Sequence, residues 1–93
     1  MLASMELPEE TVEELIARLR RIEGQVRGVQ QMLVDGRDCR EVVTQISAAS
    51  KALDQAGFTL VAAGLTWCLT DPKRSRALGY DVSDVQKMFT KLA

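Results

Sequence analysis

The sequence predicts an all-α protein with three helices, two long and one short, in a single domain over residues 1–93. Three observations support this prediction. The chain of 93 residues suits one domain. Apolar residues recur at three- and four-residue steps along two long stretches, which is the periodicity of an amphipathic helix. The composition, 46% hydrophobic and 27% charged with 4% aromatic residues, is typical of a small helical protein rather than a disordered chain.

Residues 1–8 are predicted to form a flexible tail that ends at Pro8. A first helix is expected from about Glu9 or Thr11 to Val34, since acidic residues in its first turn suit the positive end of the helix dipole. Asp35-Gly36 ends this helix, because glycine adopts the left-handed backbone at little cost. Its apolar stripe comprises Leu15, Ile16, Leu19, Ile22, Val26, Val29 and Leu33.

A second helix is expected from the N-cap residue Asp38 to about Leu69, where Asp71-Pro72 stops it. The half from Ala56 onward carries no charge, which predicts burial on all sides. Glycines on its apolar face are expected to let another helix approach closely. That face comprises Cys39, Val42, Val43, Ile46, Leu53, Gly57, Leu60, Val61, Gly64 and Cys68.

A basic loop is expected after the second helix, with Lys73, Arg74 and Arg76. The short third helix is predicted from about Asp84 to Leu92, with Ser83 as its cap.

Two long helices and a short one do not enclose a core by themselves, so the pattern favours an antiparallel dimer that forms a four-helix bundle. The spacing of the two cysteines also favours this dimer. Cys39 and Cys68 are 29 residues apart on one helix, which separates them by roughly 43 Å along the axis and only about 20° around it. One protomer cannot join them, whereas antiparallel pairing brings Cys39 of one chain beside Cys68 of the other, twice.

Thiol chemistry is the strongest functional signal in the chain. No histidine is present, which excludes Ser-His-Asp, Cys-His and imidazole-based metal sites. There is also no glycine-rich phosphate loop, so we expect no enzyme activity and no resident cofactor. Cys39 is the better nucleophile, because a helix N-terminus flanked by Arg37 and Arg40 favours the thiolate. Cys68 has apolar surroundings, and the alternative is that both cysteines are inert core residues.

The net charge of −1 gives no signature of nucleic-acid binding, but the charge distribution does. Arginines on both sides of the first helix's apolar stripe are suited to phosphate contacts. A merely solvated helix face is the alternative. The candidate phosphate ligands are Arg18 and Arg21 on one side, Arg20 and Arg27 on the other, and Lys51 on the second helix.

The start of the chain is acidic and lacks the features of a signal peptide. No stretch approaches the roughly 20 apolar residues that a membrane span needs. We therefore expect a cytoplasmic protein that does not contact a membrane.

The run Arg18-Leu-Arg-Arg-Ile-Glu-Gly-Gln-Val-Arg-Gly28, followed by Cys39 and Val43-Thr-Gln-Ile46, resembles the copper-sensing operon repressor (CsoR) family of small helical bacterial regulators. The resemblance covers about residues 14–69. It implies antiparallel dimers, assembled into homotetramers, that bind operator DNA. Copper sensors of the family use one cysteine, together with a second cysteine and a histidine four residues before it, across the dimer.

Gly64 stands where those sensors have the histidine, and Asp38 stands where they often have tyrosine. The remaining pattern resembles the persulfide-sensing, CstR-like branch, whose two cysteines become linked across the dimer by di-, tri- or tetrasulfide bridges. This implies a repressor that responds to reactive sulfur species through Cys39 and Cys68 of two protomers. One alternative is a copper(I)-responsive repressor in which the same two thiolates bind the metal. Another is a helical interaction module that does not bind DNA.

Overall fold

The structure is a computed structural model and describes residues 5–93. Four helices follow in the order α1 (Glu9–Val34), α2 (Cys39–Thr70), α3 (Pro72–Ala77) and α4 (Val82–Leu92), and residues 5–93 contain no strand. The all-α prediction is confirmed, whereas the predicted number of three helices is wrong. Helices α1 and α2 form a long hairpin, α3 and α4 pack only against α2, and the molecule measures 54 × 24 × 22 Å.

The junction between α1 and α2 forms as the sequence predicts. Gly36 has a φ of 68°, the left-handed backbone that ends α1. The next residue, Arg37, donates its backbone N–H to the Met32 carbonyl at 2.9 Å. The Asp38 carboxylate accepts the backbone N–H of Arg40 at 2.8 Å and so caps α2. The chain therefore reverses within four residues, which places Cys39 in the first turn of α2.

The expected basic loop is helical. Asp71 leaves the helical backbone with a φ of −137°, and its carboxylate accepts the backbone N–H of Arg74 at 3.4 Å. Pro72 then occupies the first turn of α3, where its missing N–H costs nothing. Lys73, Arg74 and Arg76 consequently lie on a short helix that starts directly after α2.

Helix α4 begins two residues earlier than predicted, because Asp81 rather than Ser83 caps it. The Asp81 carboxylate accepts the backbone N–H of Asp84 at 2.9 Å, and the Asp84 carboxylate accepts the backbone N–H of Asp81 at 3.0 Å. This reciprocal pair satisfies two free N–H groups of the first turn. The backbone N–H of Asp84 also stabilises the charged Asp81 carboxylate and lowers its pKa.

The core lies around the C-terminal half of α2. Val61, Trp67 and Cys68 pack there against Val85 of α4. Gly57 permits this approach, since a Cβ atom on it would lie 3.0 Å from the Leu92 side chain, which confirms the close helix contact expected there. The prediction that this half of α2 is buried on all sides is wrong, because Leu69 remains 65% exposed.

One face of the hairpin is apolar but uncovered. Side chains from α1 and from the N-terminal half of α2 are about half exposed or more along it, although they belong to the predicted apolar stripes. A single protomer therefore leaves its core open on this side. The uncovered face comprises Ile16, Leu19, Val26, Leu33, Val43, Ile46 and Leu53.

Of the flexible tail predicted for residues 1–8, residues 1–4 lie outside the described part, and residues 5–8 contact the helices. Met5 packs against the core around Cys68. Glu6 accepts hydrogen bonds from Arg74 on α3 at 2.6 and 2.9 Å. Met5 to Pro8 are non-helical, but they are attached to the end of α2 and to α3.

Helix α2 is long and apolar enough to cross a membrane by length and composition alone. This differs from the expectation that no segment of the sequence is long and apolar enough. The core helix of a soluble protein also meets it, and charged residues such as Lys51 and Asp54 interrupt the first half of α2.

We predict that Asp81→Ala lowers the melting temperature by a few degrees at pH 7, because α4 loses its cap. The pKa of Asp81 is lowered in the folded state, so its stabilisation is complete above the ordinary value of 3.8 and is lost as the pH falls through the lower folded value. The difference between wild type and Asp81→Ala should therefore shrink below that value in thermal unfolding followed by circular dichroism. Asp81→Asn keeps an acceptor and serves as the matched control, and an equal loss in both variants would contradict the cap.

Candidate functional site

Cys39 is exposed in the first turn of α2. The capping carboxylate of Asp38 precedes it. Its thiol is therefore accessible to solvent at the N-terminus of a long helix.

One of the two arginines that flank Cys39 contributes less than the sequence suggests. The Arg37 guanidinium donates to the Glu41 carboxylate at 2.6 and 3.0 Å, one turn along α2. Its charge is thus already partnered, whereas Arg40 forms no ion pair within residues 5–93. The structural case for Cys39 as the accessible thiol rests on its exposure in the first turn of α2.

Cys68 lies at the opposite end of the same unbroken helix and is buried, with only 3% of its surface exposed. Helix α4 covers it through Val85, and Met5 packs against the same cluster. A cleft of about 250 Å³ reaches the thiol from the side of α3 and α4. The lining residues are Cys68, Pro72, Ser75, Arg76, Asp81, Val82 and Ser83.

The structure does not bring the two cysteines together within one protomer. Both belong to α2, which runs without interruption from Cys39 to Thr70. Their 29-residue separation corresponds to roughly 43 Å along the axis. A disulfide requires Cα atoms within about 7 Å of each other, so an intramolecular bridge is excluded while α2 stays folded.

Within residues 5–93, no three side chains of histidine, cysteine, aspartate or glutamate come together to hold a metal ion. A metal bound by these thiols thus needs donors from a second protomer or a donor of another type. Thiolates are soft ligands that suit copper(I) rather than magnesium or calcium.

The candidate phosphate ligands Arg18 and Arg21 share a groove between α1 and α2, about 330 Å³ in volume. The Arg18 guanidinium donates to Glu14 at 2.8 Å and to the Thr59 hydroxyl of α2 at 3.5 Å. Arg21 forms no ion pair with any residue in the described range 5–93. Gln25 and Gln55 also line the groove, so its walls present several hydrogen-bond donors suited to a phosphate backbone.

The other predicted basic residues lie elsewhere. Arg27 borders a shallow hollow formed by α1 side chains, including Leu19 and Val26. Arg20 is exposed on α1 and Lys51 is exposed on α2, and neither lines the Arg18–Arg21 groove. One protomer therefore presents its basic residues on more than one face.

The residue that the sequence analysis missed at this site is Met5. A Cβ atom on Gly64 would lie 2.7 Å from the Met5 sulfur and 2.8 Å from its methyl carbon, closer than real Cβ atoms come. The Met5 thioether thus fills the space of the side chain that Gly64 lacks, one helical turn before Cys68. The only sequence signal was the pair of apolar residues, Met5 and Leu7, just before Pro8.

Residues 11–91 match the family described as metal-sensitive transcriptional repressor. The chain is 45% identical over 53 residues to the copper-sensing transcriptional repressor RicR of Mycobacterium tuberculosis, a match that covers 57% of this chain and 55% of that relative. It is 36% identical over 83 residues to the copper-sensing transcriptional repressor CsoR of Bacillus subtilis, covering 85% of this chain and 81% of the relative.

Two solved structures share the fold. The copper-sensing repressor CsoR with Cu(I) from Geobacillus thermodenitrificans superposes with a TM-score of 0.78 at 32% identity, over 97% of this chain and 94% of that chain. The nickel-responsive transcriptional regulator InrS superposes with a TM-score of 0.75 at 25% identity, over 96% of this chain and 98% of that chain.

We predict that Cys39 reacts with iodoacetamide at least about tenfold faster than Cys68 in the native protein, because alkylation of the buried thiol requires local opening and each 1.4 kcal/mol of opening slows it tenfold. Peptide mass spectrometry of time points gives the two rates. In urea the rates should converge. Equal rates in the folded protein would contradict the burial of Cys68.

Proposed function

The chain belongs to the metal-sensitive transcriptional repressor family, and from this premise we propose that it is a cytoplasmic, operator-binding repressor that senses reactive sulfur species through Cys39 of one protomer and Cys68 of another. One observation carries the proposal. An exposed thiol and a buried thiol lie at opposite ends of one unbroken helix, in a chain without histidine.

The uncovered apolar face supports the dimer. About half of each of its side chains is exposed, so covering one contributes about 1 kcal/mol. More than a dozen such side chains on two protomers offset the roughly 4–15 kcal/mol cost of association. Antiparallel pairing of two α2 helices covers this face and sets Cys39 of one chain beside Cys68 of the other. Two such dimers form the proposed tetramer.

The covalent chemistry begins at Cys39 because it is the accessible thiol. Its thiolate attacks a sulfur atom of a polysulfide, a sulfur–sulfur bond breaks, and Cys39 retains one or two extra sulfur atoms ending in –SH. The thiolate of Cys68 from the second protomer then attacks the sulfur next to that terminus. Hydrosulfide leaves, and a disulfide or trisulfide joins the two protomers. Polysulfide is the oxidant, and it is reduced to hydrosulfide.

The bridge is linked to DNA binding through α2. Cys68 packs beneath α4, and nine residues earlier Thr59 of the same helix contacts Arg18. Pulling Cys68 toward a second protomer disturbs the packing of α2 and shifts the groove of Arg18 and Arg21. The repressor then binds its operator less tightly, as a local covalent change biases the whole bundle.

Copper(I) is the second candidate effector, because the relatives named above are copper sensors. The two thiolates of a cross-protomer pair suit a soft monovalent ion, and copper(I) accepts low coordination numbers. Bound copper supplies a non-covalent link between protomers, in contrast to the sulfur bridge.

We predict that Arg18→Ala and Arg21→Ala each weaken operator binding. Each should also reduce the slope of log affinity against log salt concentration by about 0.9 per lost phosphate contact. Fluorescence anisotropy with a labelled operator duplex at several salt concentrations measures both effects. Thermal stability should change little, since exposed charges contribute little to folding.

Lys87→Ala is the matched control for that experiment. It removes one positive charge from α4, which does not pack against α1. Its salt slope should equal that of the wild type. If the arginine variants behave like this control, the groove between α1 and α2 does not contact DNA.

We predict that polysulfide treatment without reductant yields covalent dimers on a non-reducing gel, with operator affinity lowered. Intact mass should show sulfur linkages between Cys39 and Cys68 of different chains. Cys39→Ala should neither gain sulfur readily nor release DNA. Cys68→Ala should gain sulfur at Cys39 without forming the Cys39–Cys68 linkage.

Two results count against this scheme. Monomers with an internal bridge would contradict the antiparallel pairing. A Cys39→Ala protein that releases DNA on polysulfide treatment would exclude Cys39 as the sensing thiol.

A further inference from the structure

We infer that the thioether of Met5 is a third sulfur ligand beside Cys68, and that with Cys39 of a second protomer it completes an all-sulfur site for a soft monovalent cation, copper(I). This inference rests on the thiol pair of the proposed function. It adds to the copper(I) alternative a third donor that lies outside the helical hairpin.

The position of Met5 is the first step. Gly64 and Cys68 are four residues apart on α2, so side chains at the two positions are neighbours, with Cβ atoms about 5–6 Å apart. The Met5 sulfur lies 2.7 Å from where the Gly64 Cβ would be. It therefore occupies the place next to Cys68 that a side chain at position 64 would otherwise fill, and any such side chain would expel it.

The attachment of the N-terminal segment is the second step. Met5 packs against the cluster of Val61, Trp67, Cys68 and Val85. Its neighbour Glu6 accepts two hydrogen bonds from Arg74, and those bonds lower the pKa of Glu6. The segment is thus held both by apolar packing and by an ion pair to α3, which directly follows the helix end that carries Cys68.

The donor chemistry is the third step. A thioether and two thiolates are soft ligands, and they suit copper(I) far better than divalent oxygen-seeking ions. No redox change is needed. Copper(I) displaces the protons of the two thiols, which pass to solvent, while the neutral thioether contributes a lone pair without losing a proton.

The test measures copper(I) affinity anaerobically, by competition with a chromophoric copper(I) chelator, in the chain of residues 1–93. Met5→Leu keeps the apolar volume and removes the sulfur, so packing is largely retained. We expect at least about a tenfold loss of affinity, since removing a direct ligand should cost no less than removing an outer partner of a ligand, which costs about 10–100-fold. Met88→Leu, a partly buried methionine on α4 that packs against the same cluster, is the matched control and should bind like the wild type.

Gly64→His in the Met5→Leu background is the rescue variant, because its imidazole would stand one turn before Cys68. Restored affinity supports a ligand position there. X-ray absorption on the copper(I)-loaded wild type should show a first shell of three sulfur atoms, whereas Met5→Leu should show two.

Met5→Leu with wild-type affinity, or a two-sulfur shell in the wild type, overturns the inference and leaves Met5 as packing alone. Polysulfide bridging in Met5→Leu is measured in parallel. Bridging that persists while copper affinity falls supports both proposals. If bridging is lost while copper(I) affinity is unchanged, Met5 is not a copper ligand. Bridging between Cys39 and Cys68 would then depend on the packing of Met5.

Discussion

The continuity of α2 is the constraint on which the rest of the structure depends. One helix of 32 residues holds both cysteines, so their separation is fixed by helix geometry and cannot be closed by a loop motion. Any reaction that joins Cys39 to Cys68 must therefore use thiols from two different protomers. The same unbroken helix carries Thr59, nine residues before Cys68, and the Thr59 hydroxyl accepts the Arg18 contact.

The two halves of α2 are covered unequally. Helix α4 and Met5 pack on the half that holds Cys68, while the half that holds Cys39 exposes Val43, Ile46 and Leu53. Antiparallel pairing sets the bare half of one protomer against the covered half of the other. Each proposed site then combines one accessible and one buried thiol, which assigns an order to their reactions. In the proposed dimer, assembly and sensing therefore depend on the same helix.

The long helices could be predicted because their signals are local: apolar periodicity, Gly36 and Asp38 fix α1 and α2 within a residue or two. Helix α3 has six residues, too short for periodicity, and it depends on Asp71 as cap and Pro72 in its first turn. Both Ser83 and Asp81 are suitable caps, and the reciprocal bond from Asp84 selects the latter. The sequence also located both thiols and predicted apolar surroundings for Cys68, but not which residues distant in the chain, such as Val85 and Met5, pack around it.

Met5 illustrates why site chemistry is harder to predict than helices. A lone apolar residue before Pro8 has no periodic partner, and the space it fills exists only because Gly64 has no side chain. The ion pair between Glu6 and Arg74 attaches this segment only weakly, because the pair is exposed and such pairs contribute little to stability. The hydrogen bonds from Arg74 lower the pKa of Glu6, so this pair stays charged to a more acidic pH than an ordinary glutamate would. Apolar packing against the cluster that contains Cys68 therefore holds Met5 more than the ion pair does. Of the two proposals, the copper(I) site requires Met5 to stay beside Gly64 and Cys68, whereas the sulfur bridge does not require it.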